Sequence, residues 1–174
     1  MSYDIYLIIV VFSIFITGCL TPYWLHLSDK PKKWKRPEIK HNKLTKWNWM
    51  VSHPDKLKLG ENTDIGAFSY LQAEYGIEIG KNTQIGSHCS IYSKNTIDNT
   101  HSKIIIEDNV KIGAGTIILP SQSGHALYIC HDSVIGALSL VKQSIPSNST
   151  YIGVPAKPIK KNKIYIEEGK IYDE

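Results

Sequence analysis

From about residue 57 onward, apolar positions recur every sixth residue. That spacing fits neither the alternation of a half-buried strand nor the 3.6-residue turn of a helix. Aliphatic side chains stand at Leu59, Ile65 and Leu71, at Ile79, Ile85, Ile91 and Ile97, at Ile106, Ile112 and Ile118, and at Ile129, Ile135 and Val141. Glycine follows the aliphatic at Gly60, Gly66, Gly80, Gly86, Gly113 and Gly136, half of the chain's twelve glycines. Four residues after the aliphatic come small or β-branched side chains: Thr63, Ser69, Thr83, Cys89, Val110, Thr116, Ser133 and Ser139.

A fixed pitch of this kind predicts a solenoid of short strands and tight turns. The aliphatic residue fills the axis, and glycine relieves crowding where the chain turns the corner. The small residue also points inward, into the room that is left. Three hexads close one triangular coil, and coils stack at roughly the inter-strand distance of 4.8 Å.

Three interruptions break the pitch: QAEYGIE (72–78), DNTHSKII (98–105) and LPSQSGHALY (119–128). Loops projected from a rigid frame are where function concentrates. Counting hexads from Ile79 puts Ile79, Ile97 and Ile118 on one face. Both larger loops then leave at the same corner, one coil apart, and set His101 and His125 on one edge.

The segments IGKNTQ-IGSHCS, VKIGAGTIILP and VIGALSLVKQSIPSNSTYIGVPAK resemble the left-handed parallel β-helix acyltransferases with hexapeptide repeats, over roughly residues 55–160. The ending IPSNSTYIGVPAK is similar to that of sugar O- or N-acetyltransferases that use acetyl-CoA. The resemblance implies a homotrimer with the active site in the cleft between two prisms. It also implies a general base in the histidine before KIIIEDNVKIGAG, which is His101. A sugar hydroxyl is a poor nucleophile until its proton is accepted, and histidine titrates in the right range. Asp98 in the same loop is placed to orient the ring, and a backbone N–H at a solenoid corner can serve the oxyanion. Two histidines compete: His88, at the coil corner GSHCS, and His125, after Gly124 in the longest loop. His26, His41, His53 and His131 read as structural.

For acetyl-CoA, the resemblance points to backbone amides around Gly136, Ala137 and Ser139. Lys142 and Lys157 are candidates for the nucleotide phosphates, and Pro155 ends the final coil. No metal is required. A zinc lyase of the carbonic-anhydrase type on the same prism would need three converging imidazoles, for which His88, His101 and His125 are available. A solenoid without catalysis is a third reading.

Residues 5–20, IYLIIVVFSIFITGCL, carry no charge, and 13 of the 16 are apolar. Extended to Leu27 they suit a membrane-spanning helix flanked by Tyr23 and Trp24. A packing element buried in an oligomer, or a signal cleaved at Ile16-Thr17-Gly18-Cys19, which resembles a bacterial lipoprotein cleavage box, are the alternatives. Residues 29–46 hold eight basic and two acidic residues, whereas residues 48–174 hold twelve and thirteen. The basic flank predicts a body on the cytoplasmic face of the bacterial inner membrane. A near-neutral body argues against nucleic acid as a partner. Three cysteines without a CxxC leave no disulfide framework.

The expected chain is therefore all-β. It has a hydrophobic helical segment (1–28), a basic linker (29–54), a left-handed β-helix domain (55–160) and a tail (161–174) that suits a hairpin. The expected activity is acetyl transfer from acetyl-CoA to a hydroxyl or amino group of a sugar, nucleotide-linked or lipid-linked, in polysaccharide synthesis.

Overall fold

The computed structural model describes residues 34–159, together with the backbone of two strands, Tyr165–Glu167 and Lys170–Tyr172, which pair antiparallel. The N-terminal hydrophobic segment, with residues 5–27, lies outside the described residues. Among the described residues there is no helix long and apolar enough to cross a membrane.

Three parallel sheets run the length of the body. The first stacks β1 (Met50–Ser52), β4 (Tyr70–Gln72), β7 (Ser90–Tyr92), β10 (Ile117–Ile118) and β13 (Leu140–Val141). The second stacks β2 (Leu57–Leu59), β5 (Ile77–Ile79), β8 (Ile104–Ile106) and β11 (Leu127–Ile129). The third stacks β3 (Asp64–Ile65), β6 (Gln84–Ile85), β9 (Lys111–Ile112), β12 (Val134–Ile135) and β14 (Thr150–Ile152). It closes on the antiparallel β15 (Lys157–Pro158). From β1 to β13 the chain visits the sheets in rotation, one strand to each face per turn; in the last coil the second sheet gains only the Ile129–Ile145 bridge before β14.

Register makes the hexads into columns. Val51, Leu71, Ile91, Ile118 and Val141 are paired up the first sheet and all are buried. Ile65, Ile85, Ile112, Ile135 and Tyr151 do the same in the third. Truncating a buried isoleucine of this kind to alanine costs about 2–5 kcal/mol. The small residues four positions on are inward too, and their buried polar atoms are satisfied. Thr83 Oγ1 donates to the Glu107 carbonyl at 2.8 Å, Ser69 Oγ to that of Gly86 at 3.0 Å and Thr116 Oγ1 to that of Gly136 at 3.1 Å. Each hydroxyl thus ties a corner to the coil beside it and serves a partly buried carbonyl there.

Two expectations change. The corner itself is turned not at glycine but two residues later, at residues with positive φ such as Asn62, Asn82, His88 and Asn109. Glycine is needed because coils touch there: a Cβ on Gly86 would lie 2.5 Å from the Ala114 nitrogen of the next coil. Ile97 is not a hexad residue at all. It is 93% exposed, in the loop between β7 and β8. That loop is pinched shut by the Asn95 N–H to Thr100 carbonyl bond at 2.8 Å and by the Lys94–His101 bridge, which leaves Ile97 outside.

Removing Ile97 from the count changes the registration. Ile79 belongs to the second sheet and Ile118 to the first, so they do not share a face. The two larger loops nevertheless leave at one corner, because β7–β8 and β10–β11 are both first-to-second-sheet connections. The shorter interruption, β4–β5, leaves there as well. Stacking also begins earlier than residue 55. β1 pairs with β4, and His41 and Leu44 bridge to Val51 and Met50.

Candidate active site

Calling the corner from first to second sheet the first edge, all three loop insertions project from it, one per coil. It carries Tyr75, His101 and His125 in successive coils, with His53 below them. His101 ends the pinched loop, and its side chain is exposed. Its ring stacks on Tyr75, with centroids 4.2 Å apart and planes 30° apart. Its Nδ1 faces the Asn99 carbonyl at 3.2 Å. A carbonyl only accepts, so this contact places the proton on Nδ1 and leaves Nε2 with a free lone pair.

Tyr75 is itself held. Its N–H donates to Ser93 Oγ at 2.9 Å, and Lys94 Nζ lies 5.9 Å from the ring centroid while bridging Glu74 at 3.1 Å. The Glu74 carboxylate holds the Lys94 ammonium above its ordinary value, chiefly through that hydrogen bond.

The expected role of Asp98 is not met. Its Oδ1 accepts from the Thr100 N–H at 3.0 Å and the Thr100 hydroxyl at 2.7 Å. The Thr100 hydroxyl, with the Thr100 amide behind it, pulls the carboxyl below the usual range. An aspartate two residues before a hydrogen-bonding threonine folds onto its own loop. The Asn99 carbonyl and the Tyr75 ring orient His101 instead. Tyr75 was not singled out from the sequence. The available signal was QAEYGIE, which shares its corner with the histidine loops.

His125 lies in the β10–β11 loop, exposed, one coil beyond His101. The Ser121 N–H donates to Ser102 Oγ at 2.9 Å and ties that loop to its neighbour. His88 is elsewhere. It turns the corner from third to first sheet, the third edge, at φ 58 and rests against Phe68 with centroids 5.2 Å apart. Among the described residues no three His, Cys, Asp or Glu side chains gather as a metal-binding group.

The third edge also holds most of the proposed donor residues. A groove of about 490 Å³ runs up the outside of the third sheet to Gly86, Ala114, Gly136 and Ala137. Gly136 N–H is already given to the Tyr151 carbonyl at 2.9 Å. Ser139 is buried, its hydroxyl donating to the Gly136 carbonyl at 2.7 Å. The amides of Ala114 and Ala137, both exposed, have no partner among the described residues. Pro155 occupies the turn between β14 and β15, and Lys157 follows in β15. Lys142 stands apart, after β13 on the first edge.

A three-sided parallel solenoid wound from hexads, with its loops gathered on one edge, defines a class of protein that the comparisons narrow. A galactoside O-acetyltransferase of Lactococcus lactis subsp. lactis (strain IL1403) is 34% identical over 131 residues, covering 66% of this chain and 59% of the relative. A serine acetyltransferase of Staphylococcus aureus (strain Mu50 / ATCC 700699) is 30% identical over 122 residues, covering 67% and 54%. The crystal structure of a maltose O-acetyltransferase from Clostridium difficile 630 superposes with a TM-score of 0.53 at 29% identity, covering 66% of this chain and 63% of that one. No family model matches. The chain belongs to the hexapeptide-repeat acyltransferase family. It spans between about half and three fifths of the length of the curated relatives it matches.

Proposed function

We propose that this protein is an acetyl-CoA-dependent O-acetyltransferase acting on a sugar hydroxyl, working as a homotrimer of left-handed prisms. The observation that carries the reading is His101, whose Nδ1 is committed to the Asn99 carbonyl and whose Nε2 is open. His101 Nε2 accepts the proton of the acceptor hydroxyl as its oxygen forms a bond to the thioester carbonyl. The imidazolium then returns a proton to the departing thiolate as the carbon–sulfur bond breaks. Acetyl-CoA supplies the activated acyl group, and the unpartnered amides of Ala114 and Ala137 fit the carbonyl-rich pantetheine arm. His101 and those amides stand on different edges of one prism. A neighbouring copy, laying its first edge against this chain's third, completes the site. The galactoside and maltose O-acetyltransferase relatives support a sugar acceptor, and the serine acetyltransferase supports a hydroxyl acceptor more generally. The hydrophobic stretch at 5–27, followed by positive charge, supports a body at the cytoplasmic face of the bacterial inner membrane, close to lipid-linked acceptors of polysaccharide synthesis.

The test is thiol release from acetyl-CoA against nucleotide-sugars, free sugars, lipid-linked sugars, amino-sugars and serine. Turnover with hydroxyl sugars is expected. Turnover with serine alone, or with amines alone, overturns the sugar O-acetyl assignment. No turnover with any acceptor overturns the enzyme reading.

A further inference from the structure

We infer that the folded collar at the first-coil end, residues 35–47, is a docking surface for an anionic phospholipid bilayer. The collar holds Lys35, Arg36, Lys40, Lys43 and Lys46 against a single acid, Glu38. These residues line one cleft of about 450 Å³, together with Leu44 and Trp47. Part of the charge is used internally. Lys40 bridges Glu38 at 2.9 Å, and Arg36 donates to the Leu57 carbonyl at 3.2 Å. Among the described residues, no carboxylate bridges Lys35, Lys43 or Lys46.

The tip is built to project. Thr45 and Trp49 are buried and clasp each other, Thr45 N–H to the Trp49 carbonyl at 2.8 Å and Trp49 N–H to Thr45 Oγ1 at 3.3 Å. Asn48 turns the chain at φ 61, and its carbonyl accepts the Phe68 N–H of the first coil. Lys46 and Trp47 are thereby thrust outward, with Lys46 Nζ 5.0 Å from the Trp47 ring centroid. Trp47 is 47% and Leu44 62% exposed.

Cations ringing an exposed tryptophan and leucine on a rigid turn match a lipid surface. Phosphate headgroups take the charge, and the indole and leucine enter the interface. A nucleic-acid groove would need the charge to continue along the prism, and the rest of the body is near neutral. The inference stands apart from the acetyltransferase reading and from the hydrophobic stretch at 5–27.

The experiment is co-flotation of the full chain with vesicles of phosphatidylcholine alone, or with a third of the lipid as phosphatidylglycerol. The anionic vesicles are expected to bind about tenfold more tightly or better, with the gain lost in high salt. Lys43→Glu/Lys46→Glu should lose the gain yet keep the binding to neutral vesicles. Lys81→Glu/Lys111→Glu, the same charge change elsewhere on the prism, should keep it. Leu44→Ser/Trp47→Ser should lose part of it, with an unchanged thermal melt. The inference is overturned if wild type shows no anionic gain, if the collar variant retains it, or if the distant pair loses it equally. It is also overturned if a single-stranded oligonucleotide displaces the vesicles at equal charge.

Discussion

The second edge, from second to third sheet, and the third edge have the same backbone and opposite surfaces. At the second, corner amides are covered by acids. Lys81 N–H donates to Asp108 Oδ1 at 2.7 Å and His131 N–H to Glu107 Oε2 at 2.8 Å. Asparagines stack alongside, Asn62 Nδ2 donating to Asn82 Oδ1 at 3.1 Å. At the third, the equivalent positions are Ala114 and Ala137, whose amides, beside a groove, have no partner among the described residues. A repeat therefore supplies identical donors at every corner, and a side chain on a neighbouring coil decides whether they are available. The first edge differs again. It is where the pitch fails, and the loops rather than the corners carry the chemistry.

The largest way to sharpen that contrast is to remove the two histidines in turn. His101→Ala should lower kcat by about 10²–10⁴-fold with an unchanged circular-dichroism melt. His131→Ala should leave turnover near wild type. Equal activity of the two variants would move the base elsewhere on the first edge.

The open corner can be closed by copying the covered one. Ala137→Asp puts a carboxylate next to the Ala114 amide, as Asp108 stands next to that of Lys81. The KM for acetyl-CoA should rise by about tenfold, with the fold retained. Steady-state kinetics at saturating acceptor reads this, and an unchanged KM would remove the amides from the donor site.

Below that lies the tie between coils. Thr83→Val keeps the shape but strands the partly buried Glu107 carbonyl that the hydroxyl serves. A loss of about 1–2 kcal/mol is expected, read as a lower urea midpoint with the same m-value.

The smallest effect is on pH dependence at the second edge. The Asp132 carboxylate, 2.8 Å from His131 Nδ1, holds that imidazole above its ordinary value, with Glu107 and Asp108 adding to the pull. The folded state thus binds the proton more tightly than the unfolded chain. The stabilisation is complete below the unfolded value and is lost as pH rises through the folded one. Proton NMR titration of His131 should show the raised value falling back in Asp132→Asn.

Most of the frame was legible because a buried column tolerates few residue types. Apart from Ile97 and the half-buried Leu59, every hexad aliphatic from Leu59 to Val141 proved buried. Ile97 misled because one exposed isoleucine at the right spacing is indistinguishable from a core one, and it shifted the face count for what followed. Tyr75 and the Asn99 carbonyl were not legible. The first is one tyrosine among ten, and the second is backbone.

The six-residue pitch determined by itself that short parallel strands stack around an apolar axis, because only inward positions need be aliphatic and those positions are fixed by covalent spacing. The loop lengths determined where that regularity breaks. Which donors stay open, which acid covers which amide, and that His101 leans on Tyr75 rather than Asp98, were decided only by tertiary structure. Those contacts join residues 24–27 positions apart in sequence through the stacking of coils, and a linear repeat does not state which neighbour each coil will meet.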